Sequence, residues 1–138
     1  MRKNPNDVIN AANEAMYHLT RAQDLLKSAR GWGVADLIGG GIVISAIKRK
    51  KMQDAADAIQ DAMPYLRIVD EFAHHEFSQY DLESFGLAGL IDIIGDNVFS
   101  DVFAQDRIKR TLVTVENCID SLDGVLDALS DMAMNQQY

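Results

Sequence analysis

Three stretches of this chain carry apolar residues in alternating steps of three and four, a periodicity that leaves little room for anything but long packed helices. In the first, Val8, Ala12, Ala15, Leu19, Ala22, Leu26 and Ala29 form a stripe of the kind that lines a coiled-coil seam. Met52, Ala55, Ile59, Ala62, Leu66, Val69 and Ala73 form the second. Ile108, Thr111, Val115, Cys118, Leu122, Val125, Leu129 and Met132 form the third. Alanine is frequent in the first stripe, which allows a neighbouring helix to come close. Few β-branched alternations and only two prolines argue further against a sheet protein.

Local signals predict the helix ends. Asn4-Pro5-Asn6-Asp7 supplies small polar caps and an acid for a first turn, so the first helix starts there. Arg30-Gly31 predicts its end, with glycine taking the left-handed conformation and Trp32 folding back over apolar surface. Pro64 falls inside the second helix and predicts a kink, because it lacks a backbone donor and crowds the preceding turn. Gly124 weakens the third helix by about 1 kcal/mol relative to alanine. The tail Asn135-Gln136-Gln137-Tyr138 is expected to fray.

Between the long helices lie two mostly apolar segments, Gly33 to Ile47 and Phe85 to Phe103, the second preceded by a polar break from Ser78 to Ser84. Each is expected to form a short helix. A shift of 56 residues brings Asp36-Leu37-Ile38-Gly39 onto Asp92-Ile93-Ile94-Gly95 and Ile47 onto Phe103. The same shift superposes the second stripe on the third. Internal self-similarity of this kind marks repeated units. The expected architecture is an all-α bundle of three long helices with two short apolar helices, the units 36–73 and 92–129 forming an internal two-fold repeat.

The 138 residues fit a single domain, large enough to bury roughly two-thirds of the unfolded surface. A net charge of −8 makes nucleic acid an unsuitable partner, since phosphate binding relies on a basic surface. It also disfavours strong adsorption to anionic lipid. The lone cysteine, Cys118, has no internal disulfide partner, which fits a reducing compartment. The start, MRKNPNDVIN, lacks the apolar run of a signal peptide. The nearest approach to a membrane span is Val34 to Ile47, at 14 residues and interrupted by three glycines. A cytoplasmic location is the expectation.

Trp32-Gly33, Asp36-Leu37, Gly39-Gly40-Gly41, the aliphatic run Ile42 to Ile47 and the Lys-rich entry Lys48 to Met52 form a recognisable series. In it the chain resembles a group of small, uncharacterised helical proteins of Gram-positive bacteria, whose looser aromatic and acidic second pattern corresponds to Phe85 through Ile108. Two positions depart from that pattern: Arg49 stands where histidine is expected, and Val102 follows Asp101 where tryptophan is expected. The resemblance implies a helical fold and a cytoplasmic location. It implies no activity.

Four groups of residues merit a functional reading. Three glycines within a helix cost roughly 2–3 kcal/mol against alanine, so packing should offset them. Gly40, Gly41, Ile44, Ser45 and Lys48 then form a small, apolar face that docks either on the Ala-rich first helix or on a partner. The runs Lys48-Arg49-Lys50-Lys51 and Arg107-Ile108-Lys109-Arg110 could receive an anion or an acidic partner, or could simply be solvated helix junctions. There they would complement the dipoles of the short helices. Glu71 and His74 have the spacing used in carboxylate-bridged di-metal bundles, but such a site needs a second such pair and two further glutamates. A surface reading is preferred, and no metal or cofactor is expected. Asp36 and Asp92 are expected in the first turns of the short helices, where a carboxylate stabilises free N–H groups.

No phosphate loop, nucleophile elbow or zinc spacing accompanies these residues. The preferred function is therefore a non-catalytic, cytoplasmic protein–protein interaction module (adaptor, chaperone-like or toxin-neutralising), binding another protein or a second copy of itself. Peripheral membrane association through the apolar short helices is the alternative. An enzyme of unknown class comes third.

Overall fold

A computed structural model describes residues 4–39, 42–76 and 105–135, with side chains described over 4–31, 46–72 and 108–134. Those residues form three long α-helices: α1 (Pro5–Gly39), α2 (Ile42–Glu76) and α3 (Gln105–Asn135). The all-α prediction holds over them.

The first helix begins where its caps predict. The Asn4 side chain accepts a hydrogen bond from the Asn6 amide at 3.0 Å, and the Asn4 carbonyl accepts from Asp7 at 2.9 Å. Asn4 is thus the N-cap, and Pro5 takes the first helical position, where a missing N–H costs nothing.

All seven residues of the first stripe are fully buried, and so are those of the second from Met52 to Val69. In the third, Ile108, Val115, Cys118, Leu122, Val125 and Leu129 are fully buried and Thr111 nearly so. Together they make one core. Burying a leucine or isoleucine contributes about 1.5–3 kcal/mol, so Leu19, Leu26, Ile59, Leu66, Leu122 and Leu129 supply much of the driving force. Alanines Ala11, Ala56 and Ala58 and the thioether of Met63 widen the buried face beyond the stripes.

The directions of the helices follow from short connections and cross-helix contacts. Two residues separate α1 from α2, and the helices pack along each other, so they form an antiparallel hairpin. The rings of His18 in α1 and Tyr65 in α2 stack across it, with centroids 5.9 Å apart. α1 also packs on α3, where Gln23 Nε2 donates to Glu116 Oε2 at 2.9 Å and Lys27 Nζ approaches the same oxygen at 4.0 Å. Those contacts set Glu116 level with the Gln23–Lys27 turn. With α3 antiparallel to α1, the long arm of α3 after Glu116 lies along the long arm of α1 before Gln23. α2 and α3 then run the same way, each packed on α1 around one core.

Three expectations require correction. Gly31 does not end the first helix, which continues for two more turns to Gly39. Gly31 faces solvent and has nothing within 4 Å of where a Cβ would sit, so it costs some helix propensity without blocking the packing on the other side. Secondly, the short apolar helix expected within Gly33 to Ile47 is not a separate element. Its first part belongs to α1, and Ile42–Ile47 opens α2. Asp36 therefore lies in the last turn of α1 rather than the first turn of a short helix.

Thirdly, the internal repeat of a short helix followed by a long one fails with its first member, because residues 36–39 are part of α1 and not of the helix carrying Ile59. The shift of 56 residues is a whole number of heptads. Two heptad-patterned helices that pack in the same direction on a common partner align under such a shift without being copies of one unit. The second short segment, Phe85 to Phe103, and Asp92 with it, lies outside the described residues. The same holds for the expected fraying of residues 136–138.

Candidate functional site

The basic runs are the sequence-predicted site on which the structure has most to say. α2 carries Lys48, Arg49, Lys50 and Lys51 in its second and third turns, and α3 carries Arg107, Lys109 and Arg110 in its first two. With both helices opposite to α1, the two runs lie toward the same end of the bundle.

The dipole explanation fails for the first run, and for the second the short helix it relied on lies outside the described residues. Basic groups near the end of a short helix would offset its negative terminus, but here Lys48–Lys51 occupy the N-terminal third of a long helix. Lys109 and Arg110 are exposed in the second turn of α3. α2 has no acidic residue in its first turn.

Within the run the four residues differ. Lys50 is exposed and pairs with Asp54 one turn later, Nζ to Oδ1 3.0 Å. Arg49 is exposed and has a polar or charged partner. Lys51 is half-buried. Lys48 is only 7% exposed. It sits four residues before Met52, at the position where the second stripe, stepped back by one interval, places a core residue. Its ammonium makes no hydrogen bond or ion pair among the described residues, yet it is not sealed from water. The aliphatic stem thus lies in the end of the core while the charged head reaches out, the usual compromise for a lysine at a core position. The signal for this burial is present in the sequence, since one four-residue step of the stripe back from Met52 lands on Lys48.

The proposed glycine face is located only in part. Ile44 and Ser45 are in the first turns of α2, and Gly40 and Gly41 lie outside the described residues. Of that face only the Lys48 side chain is described, and it is buried. Whether the face docks on α1 rests on side chains outside the described set.

The remaining candidates are less promising. Glu71 is exposed, and His74 and His75 fall in the last turn of α2, where side chains are not described. Among the described residues no group of three or more histidine, cysteine or acidic side chains could hold a metal ion. Glu14 and His18 do approach one another, at 3.9 Å, but His18 is committed to packing. It stacks on Tyr65 and meets Tyr17 edge-on at 5.3 Å. Tyr17, 63% exposed, rims an open depression of about 480 Å³ on the outer face of α1 with Met16, Thr20 and Arg21. Helical periodicity places Tyr17 outside the stripe and gives no hint of that hollow. Cys118 is buried in the core, and burial pushes its thiol up to about 12, so it is a packing residue and not a nucleophile.

None of the described helices is long and apolar enough to cross a membrane. No protein family, no curated protein and no solved structure matches the chain.

Proposed function

We propose that the protein is a non-catalytic, cytoplasmic interaction module that binds another protein through the basic end of its bundle. What supports this most is that two basic runs, far apart in sequence, stand early in α2 and in α3 of a chain whose net charge is −8. An adaptor, a chaperone-like partner or a toxin-neutralising protein would each use such a surface. The clustered charge speeds encounter with a complementary surface, and contacts nearer the core then fix the register.

Site-specific photo-crosslinking in the native cell tests this reading. A photoreactive residue at Lys51 or Lys109 should give protein adducts of discrete mass, while one at Asn10, at the far end of α1, should not. Equal adducts from both ends would refute a basic-end interface. Recovery of the chain in the membrane fraction, with no protein adduct, would favour peripheral membrane association instead.

A further inference from the structure

The basic end contains one cation unlike the others. Exposed lysines and arginines are fully hydrated, freely rotating and screened, and pairs made with them are worth little. Lys48 has already buried its stem, and only 7% of the residue remains accessible. The side-chain entropy that binding normally costs has thus largely been lost on folding. Among the described residues it has no carboxylate partner, whereas its exposed neighbour Lys50 has Asp54.

We propose that Lys48 anchors a carboxylate from an acidic protein segment, with Lys51, Lys109 and Arg110 guiding that segment to the end of the bundle. This rests on the basic-end interface proposed above and specifies the chemistry of its partner. A recessed ammonium calls for a ligand that can project a single anionic group on a flexible arm, as aspartate and glutamate side chains do. A flat anionic bilayer meets the exposed lysines first and does not reach it. An extended nucleic acid would run beyond the patch onto a surface that is acidic overall. A short acidic segment satisfies both the recess and the limited extent of the charge.

Fluorescence anisotropy with a short glutamate-rich peptide, phosphatidylserine vesicles and a single-stranded oligonucleotide as parallel probes tests the assignment. The peptide should bind, more weakly as salt is raised, and in preference to the other two probes. Lys48→Met keeps the stem and removes the charge. It should leave the urea midpoint unchanged or higher and weaken peptide binding at least about tenfold. Lys50→Met, which removes an exposed and already paired cation, should weaken it by no more than about threefold. A second readout needs no variant: bound peptide should protect Lys48 from an amine-reactive reagent more than it protects Lys50. Equal losses for the two variants, no selective protection, or preference for vesicles or oligonucleotide would each overturn the assignment. If the peptide fails while Lys51 and Lys109 still crosslink to a cellular protein, the interface stands and only the acidic anchor is wrong.

Discussion

At the scale of single residues, the informative positions are those whose chemistry and surroundings disagree. Gly31 and Gly124 lie inside helices, face solvent, and have open space where a Cβ would go. Neither is needed for a turn or a close approach. Replacing each by alanine should stabilise the fold by about 0.5–1 kcal/mol, and the two effects should add because the sites lie on different helices and share no contacts. Urea melts of the single and double variants measure this, and a loss at either position would reveal a contact made by the glycine backbone. Cys118 gives a different kind of test. Burial raises its thiol from the ordinary value of 9.0 to about 12. A group whose pKa is raised by folding stabilises the native state fully below its unfolded value and loses that contribution as pH climbs to the folded value. Stability should therefore fall between pH 9 and 12 more steeply in the native protein than in Cys118→Ala, when both are compared by their urea midpoints. A thiol reagent at neutral pH should modify Cys118 only as fast as the protein opens.

At the scale of elements, the stripes were legible because a heptad repeat held over several turns has one physical meaning, and every described stripe residue from Val8 to Ala29 and from Met52 to Val69 is buried. Breaks were harder to read. Gly31 resembled a C-cap, yet a glycine on the solvent side removes only propensity, and packing on the far side of the same turn outweighs it. The apolar segment after it resembled a short helix because nothing in its composition marks that a two-residue connection divides it between α1 and α2. Lysine at position 48 belongs by charge to a basic run and by spacing from Met52 to the core, and it is buried. Pro64 tests how far such signals can be overridden. It is exposed within α2, so the carbonyl of Gln60, on the same solvent-facing side, can be hydrated in place of its lost helical bond. Pro64→Ala restores that bond and should raise stability, by at most about 3 kcal/mol, less the entropy that proline removes from the unfolded chain. A lower urea midpoint would mean instead that the packing of α2 depends on a bend at Pro64.

At the scale of the whole molecule, the apparent repeat and the proposed interface have a common origin in the central position of α1. A helix that packs both α2 and α3, each antiparallel to itself, forces their heptads into the same direction. Two helices so constrained align in sequence whether or not they descend from one ancestor, and any feature placed early in both reaches the same end of the molecule. The direction of α3 is thus the premise that joins Lys48–Lys51 to Lys109 and Arg110. Spin labels on exposed sites measure it directly. Asn10 near the start of α1, Asp131 near the end of α3 and Lys109 near its start are all exposed. With α3 antiparallel to α1, the 10/131 pair should give the short distance and the 10/109 pair the long one. The rise of about 1.5 Å per residue separates positions 109 and 131 by roughly 33 Å along the helix, far more than the width of a label distribution. The opposite ordering would make α3 parallel to α1 and move its cations to the far end of the bundle. Binding at the α2 run would then have to proceed without Lys109 and Arg110, and substitutions at those two residues would leave the peptide affinity unchanged.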